Sequence, residues 1–154
     1  MQIKIITPGK IREKWLQSGI DEYKKRLSRY CGVSITIVPD TPDHWPQSKA
    51  LQTEADRLLK HIKPQSLVIA LDLKGRQYQS HQLAAAIDQW FRRGGSEIVF
   101  VIGGSNGLDK SVLDRAQETL CLSELTFTHQ MARLILLEQC YRGFRILRNE
   151  PYHK

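Results

Sequence analysis

Apolar residues in this chain recur at two different spacings, and the change from one spacing to the other divides it into strands and helices. Short apolar runs predict strands at 3–6, 33–38, 67–71 and 98–102, and an apolar, extended or strand-like segment follows at 120–127. Apolar residues three or four positions apart predict helices at 13–30, 49–62 and 129–146, with one more after each of the third and fourth strands. This alternation predicts an α/β fold, with one domain over residues 1–154 and a mostly parallel sheet flanked by helices.

Residues that favour helix ends mark the two remaining helices. Ser80 is predicted to cap the third helix, which Gly94 and Gly95 end. Asp109 or Ser111 is predicted to cap the fourth.

A glycine-rich loop follows the apolar strand at 98–102 and has the sequence Gly103-Gly104-Ser105-Asn106-Gly107. Ligands of open α/β folds bind at the carboxyl ends of strands, where glycines let backbone N–H groups approach a ligand closely. The loop matches neither the dinucleotide fingerprint G-x-G-x-x-G nor the P-loop, so the sequence argues against nucleoside triphosphate chemistry. A small-molecule site is therefore predicted here, although an ordinary tight turn explains the glycines equally well.

Charge adds a second kind of partner, because the chain has 23 Lys and Arg against 16 Asp and Glu and a net charge of +7. The positive residues concentrate near the two ends: Lys10, Arg12, Lys14, Lys24, Lys25, Arg26 and Arg29, then Arg133, Arg142, Arg145, Arg148 and Lys154. Lys and Arg release counterions when they contact phosphates, so this distribution favours an RNA or DNA partner over a merely solvated basic surface.

Several kinds of chemistry lack their sequence signals. Cys31, Cys121 and Cys140 form no C-x-x-C pair, and the five histidines show no H-E-x-x-H spacing, so no metal site is predicted. No G-x-S-x-G elbow is present, and covalent catalysis has no evident nucleophile. The chain has neither an apolar run of about 20 residues nor a signal-peptide pattern, and we expect a cytoplasmic protein without membrane association.

The last third of the chain mixes apolar and polar residues in a way that packing alone explains poorly. Residues 122–127 combine apolar side chains with small hydroxyls, a mixture suited to a flat ring with polar edges such as adenine. The final helix carries His129, Arg133, Glu138 and Arg142, although Glu138 and Arg142 are also spaced for an ordinary ion pair. That helix is apolar over more than one face, which indicates either a homodimer interface or a wholly internal helix.

A family resemblance extends over nearly the whole chain. It rests on these segments: Val101-Ile102-Gly103-Gly104-Ser105-Asn106-Gly107, residues 122–127, His129-Gln130-Met131-Ala132-Arg133, Glu138-Gln139-Cys140-Tyr141-Arg142 and Pro151-Tyr152-His153-Lys154. Together they resemble the RlmH family, ribosomal RNA large-subunit methyltransferases of the SPOUT superfamily that modify N3 of a pseudouridine. The chain departs from many relatives at Thr128, where they have proline, and at Lys154, where some end in arginine.

The resemblance implies a sheet whose C-terminal part is threaded into a trefoil knot, a homodimer, and S-adenosylmethionine bound near the subunit interface. The general rule that chains avoid threading would instead predict an unknotted sheet. The cofactor-binding positions implied by the family are Leu71, Gly103, Leu122, Ser123, Glu124, Leu125, Thr126 and Phe127.

The implied activity is methylation of N3 of a pseudouridine in 23S ribosomal RNA, which requires removal of an imide proton. We hypothesise that His153 accepts this proton directly or through water, that Arg142 or Lys154 stabilises the anion, and that Tyr152 orients the base. A frayed, non-catalytic tail is the plainer interpretation of these terminal residues. Because the chain is too small for a separate RNA-reading module, we expect an assembled ribosome to be the substrate. A non-catalytic RNA-binding ribosome assembly factor and a flavodoxin-like nucleotide or flavin binder remain alternatives.

Overall fold

Five parallel strands form a single sheet in the computed structural model, which describes residues 1–154. The strands are β1 (Gln2–Pro8), β2 (Gly32–Val38), β3 (Val68–Arg76), β4 (Glu97–Val101) and β5 (Glu118–Leu120). They lie in the order β2-β1-β4-β3-β5, and every neighbouring pair is parallel. The alternating pattern of the sequence therefore predicted the fold class correctly.

Five helices cover the two faces of this sheet. They are α1 (Lys14–Leu27), α2 (Gln47–Leu59), α3 (Ser80–Arg93), α4 (Lys110–Arg115) and α5 (His129–Leu147). The helices α1, α3 and α5 bury their apolar residues in the larger core cluster, and α2 and α4 in the smaller one on the opposite face. Side chains alternate between the two faces along β1: Ile3 and Ile5 point into the larger cluster, and Ile6 points into the smaller one.

The final helix α5 packs between α1 and α3. Gly143 permits the contact with α3, because a Cβ there would lie 3.0 Å from Ile87 Cδ1. On one face of α5, Leu136, Leu137 and Phe144 are buried in the core. Leu134, on another face of the same helix, is only partly buried. The helix is therefore internal on one side and apolar on a second, so the homodimer stays a prediction.

Two local predictions need correction. Of the segment 120–127, expected to be strand-like or extended with 122–127 a strand or a loop, only Leu120 belongs to β5. The rest is an irregular loop that exposes Leu125. The cap of α3 is Gln79 and not Ser80: Gln79 is extended, and its backbone N–H donates to Gln82 Oε1 at 2.9 Å, so the helix begins at Ser80 itself. For α4 the cap is Asp109, one of the two residues predicted for it.

Candidate functional site

A cleft of about 1170 Å³ opens at the carboxyl ends of β3, β4 and β5. Most of its wall comes from residues 71–74 in the second half of β3, residues 102–108 after β4, and residues 120–123 and 125–132, which run from the end of β5 to the first turn of α5. The start of α1 completes the wall with Glu13, Trp15 and Leu16. Parallel α/β sheets bind ligands at this edge, where successive loops converge.

The glycine loop after β4 folds back on itself. A Cβ on Gly103 would lie 2.3 Å from the carbonyl oxygen of Gly107, so a larger residue cannot replace Gly103 without moving backbone. Gly107 has a positive φ of 79°, and its N–H donates to the Gly104 carbonyl at 3.1 Å. The backbone N–H groups of Ser105 and Asn106 have no partner within the chain and remain available to a ligand.

The second wall is the loop that joins β5 to α5. Its entry passes so close to β3 that a Cβ on Gly75 would lie 2.8 Å from the backbone of Leu120. The Cys121 N–H donates to the Arg76 carbonyl at 2.9 Å, and the Leu125 N–H donates to Ser123 Oγ at 3.0 Å. The loop is thus fixed to β3 at its first residue, and a side-chain hydrogen bond closes a turn at its centre.

Seven of the eight residues predicted to bind the cofactor line this cleft: Leu71, Gly103, Leu122, Ser123, Leu125, Thr126 and Phe127. Glu124 does not; it is exposed beside a separate shallow depression next to Tyr78. Residues separated by 56 positions in the sequence, Leu71 and Phe127, therefore meet in one cavity.

The first turn of α5 also lines the cleft. Thr128 caps the helix by accepting a hydrogen bond from the Met131 N–H at 3.2 Å. Burial lowers the pKa of His129, and the nearby Arg133 cation lowers it further, against a smaller raising effect of Asp40. The His129 imidazole is therefore favoured in its neutral form beside the cleft.

A buried polar layer supports the glycine loop from behind. Glu54 is 5% exposed and accepts hydrogen bonds from the N–H and Oγ1 of Thr41, both at 3.2 Å. A Cβ on Gly104 would lie 3.1 Å from its carboxylate. Burial raises the pKa of Glu54 despite these hydrogen bonds. Arg133 is fully buried and donates to the Pro8 carbonyl at 2.7 Å, and burial lowers its pKa to about 10.

The predicted catalytic residues form a different cluster, centred on the Glu138 carboxylate. Glu138 Oε1 accepts hydrogen bonds from Arg142 Nη2 at 2.6 Å and from the Tyr152 hydroxyl at 3.0 Å. The Tyr152 hydroxyl also lies 3.2 Å from that of Tyr23, and burial together with these partners raises the pKa of Tyr152. Arg142 Nη1 lies 3.3 Å from His153 Nδ1. We call these five residues the tail cluster.

A second attachment holds the same terminal segment. Glu150 forms an ion pair with Arg145 at 2.8 Å and accepts a hydrogen bond from the Tyr30 hydroxyl. Arg145 also donates to the Pro151 carbonyl at 2.9 Å. The tail is therefore docked on α1 and α5 and does not fray as the plainer interpretation expected.

No member of the tail cluster lines the cleft. Within one chain, the residues predicted to bind the cofactor and the residues predicted to act on the substrate thus form two separate sites.

Comparison with known proteins decides the family. The family model described as predicted SPOUT methyltransferase matches residues 1–153. The chain is 51% identical to the ribosomal RNA large subunit methyltransferase H of Clostridium botulinum (strain 657 / Type Ba4) and 46% identical to that of Acetivibrio thermocellus, each over 100% of both chains. The chain belongs to the SPOUT methyltransferase family. This membership confirms the resemblance seen in the sequence.

A solved structure independently supports the fold. A probable methylase family protein from Haemophilus influenzae Rd KW20 superposes with a TM-score of 0.56 at 18% identity, covering 99% of this chain and 70% of the other. At this identity the likeness speaks for the SPOUT methylase fold alone. The trefoil knot is consistent with it and stays a prediction.

The structure separates the positive residues that the sequence grouped together. Arg133 is buried, and Arg142 and Arg145 are paired with carboxylates, so these three contribute little to a free basic surface. Lys10, Arg12 and Lys14 are exposed, and the ion pairs of the chain involve other residues. The free positive charge of this SPOUT methyltransferase therefore includes the segment that leads into α1, beside the cleft.

Three residues of these sites were missed by sequence reasoning. Glu54 lies in an amphipathic helix whose pattern gives no sign that one carboxylate is buried. Trp15 and Tyr23 occupy α1, and no local signal indicates that one reaches the cleft and the other the tail. No group of three His, Cys, Asp or Glu residues is arranged to hold a metal ion, and no helix is long and apolar enough to cross a membrane.

Proposed function

We propose that this protein uses S-adenosylmethionine to methylate N3 of a pseudouridine in 23S ribosomal RNA, with the assembled ribosome as its substrate. The observation that carries the proposal is the cleft in which the glycine loop and the loop after β5 meet, in a chain of the SPOUT methyltransferase family. The names of the relatives, which are ribosomal RNA large subunit methyltransferases, support the class of substrate.

The cleft residues fit this cofactor. Leu71, Leu122 and Phe127 are half-buried apolar side chains that suit the faces of an adenine ring. The unpaired N–H groups of Ser105 and Asn106 are donors for its polar atoms, and Gly103 allows the close backbone contact with Gly107 that shapes the loop. When bound, the cofactor supplies an electrophilic methyl group on a sulfonium. Metal ligands and a covalent nucleophile are not required for that chemistry.

Before methyl transfer, the residues of this chain must remove the N3 imide proton of the substrate. We assign its removal to His153, stabilisation of the resulting anion to Arg142 or Lys154, and orientation of the base to Tyr152. A positioned general base contributes on the order of 10²- to 10⁴-fold to such a reaction.

The docked tail is not in a reactive arrangement. Arg142 has only donors, so His153 Nδ1 accepts from it, and the neutral ring then carries its proton on Nε2. A ring in this state has no free lone pair for a substrate proton. His153 therefore acts as a base only after it has turned away from Arg142.

A second copy of the chain resolves the separation of the two sites. We propose a homodimer in which the cleft of one subunit is completed by the tail of the other. Met131, Leu134 and Ile135 of α5 are apolar and stay partly exposed, with Met131 in the wall of the cleft itself, and they support an interface there.

Transfer of labelled methyl groups tests the proposal. Free 23S RNA, isolated large subunits and whole ribosomes are offered with S-adenosylmethionine, and the digested RNA is analysed for N3-methylated pseudouridine. We expect label in whole ribosomes and little in naked RNA. Ribosome binding without transfer would overturn the proposal in favour of an assembly factor, and binding of flavin but not of S-adenosylmethionine would favour a flavin binder.

A further inference from the structure

The rim of the cleft combines an uncovered aromatic ring with free positive charge. Trp15, on the first turn of α1, lines the cleft and is 59% exposed. The other tryptophans are occupied: Lys49 Nζ lies 4.0 Å from the ring centre of Trp45, and Trp90 is 1% exposed within the core. Of the three tryptophans, only Trp15 is mostly exposed without a partner for its ring within the chain.

The charges around this ring are positive in excess. Lys10, Arg12 and Lys14 precede Trp15 and are exposed without an ion pair, and Lys74 lies on the facing rim. Two carboxylates, Glu13 and Asp72, also line the cleft. Asp72 accepts a hydrogen bond from the Lys74 backbone N–H at 3.2 Å. Residues 10–15 thus carry three cations against the single carboxylate of Glu13, and Lys74 on the cleft wall balances Asp72. We call Lys10, Arg12, Lys14, Trp15 and Lys74 the rim platform.

We propose that the rim platform binds the RNA strand beside the target nucleotide, with Trp15 stacked on a neighbouring unpaired base and the cations on its phosphates. Sequence-tolerant binding of single strands combines these two elements, since every base has a face for stacking and every nucleotide a phosphate. The inference rests on the proposed function and adds to it the residues that position the RNA.

Charge decides between RNA and a second copy as the occupant. The carboxylates that a second copy's tail region would bring to this cleft, Glu138 and Glu150, are already paired with Arg142 and Arg145, so a second copy offers no free negative charge to the rim cations. A polyanion is attracted by the same arrangement. The exposed apolar residues on the rim, Leu73 and Leu125, add surface for contact with bases without adding negative charge.

Substitution of Trp15 tests the platform in the full-length protein with whole ribosomes. Because the side chain is mostly exposed, Trp15→Ala is expected to leave folding intact, which thermal unfolding checks. We expect Trp15→Ala to raise KM for ribosomes about tenfold, equivalent to about 1.4 kcal/mol. Trp15→Phe, which keeps an aromatic face, should restore most of the affinity. Trp45→Ala is the matched control and should leave KM unchanged.

The cations have their own measurement. Cosedimentation with ribosomes over a range of salt concentrations gives the slope of log binding constant against log salt concentration. For Lys14→Ala this slope should be smaller in magnitude by about one, which corresponds to one released counterion. Lys49→Ala, in the Trp45 pair, should keep the wild-type slope.

Three outcomes would overturn the inference. They are an unchanged ribosome affinity for Trp15→Ala, a loss of S-adenosylmethionine affinity that accounts for the whole defect, and dissociation of a dimer into monomers. Cosedimentation does not depend on methyl transfer, so it tests the rim platform even if the wild-type protein proves inactive and the proposed function fails.

Discussion

The glycine loop and the tail cluster differ in where their polar groups find partners. In the loop, the N–H groups of Ser105 and Asn106 have none, although backbone contacts at Gly103 and Gly107 fix their position. In the tail cluster, the Tyr152 hydroxyl donates a hydrogen bond to the Glu138 carboxylate. The loop is held by its own backbone contacts and keeps free donors, whereas the polar groups of the tail cluster are hydrogen-bonded within the chain.

This difference indicates that the two sites work in different ways. A loop with unpaired donors gains hydrogen bonds when a ligand arrives, and little rearrangement is needed. In the tail, the hydrogen bond between Arg142 and His153 must break before His153 can accept a proton from a substrate. Binding of the cofactor should therefore be insensitive to the tail, and the methylation rate should be sensitive to both regions.

The largest expected effect separates the tail from the loop. His153→Ala should slow single-turnover methylation about 10²- to 10⁴-fold, because the proposed base is lost, while the calorimetric affinity for S-adenosylmethionine stays unchanged. His44→Ala, in the exposed connection before α2, is the control and should retain the wild-type rate. A normal single-turnover rate for His153→Ala would remove His153 from this role.

The converse change affects binding. In Gly103→Val the new side chain would meet the Gly107 backbone, so the loop cannot keep its shape, and affinity for S-adenosylmethionine should fall roughly 100-fold. Ser105→Ala keeps the free backbone N–H and should bind normally. Wild-type affinity in Gly103→Val would mean that the cofactor does not use this loop.

A smaller effect is expected from loosening the positions of Arg142 and Tyr152. Glu138→Gln keeps the shape of the side chain but removes the charge that holds the proposed anion stabiliser and the ring proposed to orient the base, so methylation should fall about tenfold at unchanged cofactor affinity. The matched control is Glu22→Gln, which removes an exposed Glu–Arg pair of the same spacing in α1. Equal rates for the two variants would show that the cluster does not position the tail.

The smallest effect concerns the support behind the loop. Burial raises the pKa of Glu54, so the folded chain holds that proton more tightly than the unfolded chain does. The free energy of unfolding should therefore lose a contribution as the pH rises from about 4.3 through the raised pKa. Urea unfolding should show that Glu54→Gln lacks this contribution, whereas Glu124→Gln, at an exposed position, keeps it. Parallel pH profiles for wild type and Glu54→Gln would contradict the assignment.

Local patterns predicted the fold and the cleft well, and the tail poorly. Strand periodicity and the glycines after β4 located the elements and the loop, because both depend on residues close in sequence. Residues 122–127, which the sequence left open as a strand or a loop, form a loop, and most of them line the cleft as predicted because their mixed polarity suits a cavity wall.

Long-range contacts had no such signal. The docking of Tyr152 on Tyr23 joins residues 129 positions apart, and nothing in either neighbourhood indicates it. The grouping of Arg142 and Arg145 with a basic surface failed for the same reason, because their carboxylate partners are visible only once α5 and the tail are folded.

Complementation between two inactive variants tests the central claim most directly. Gly103→Val lacks the cleft and His153→Ala lacks the base, and the two chains are coexpressed so that they form mixed dimers. If one subunit's cleft uses the other's tail, each mixed dimer has one complete site, and random pairing should give about a quarter of wild-type methylation. If both parts must come from the same chain, no mixed dimer has a complete site. Activity no greater than that of the two variants assayed separately would then contradict the account.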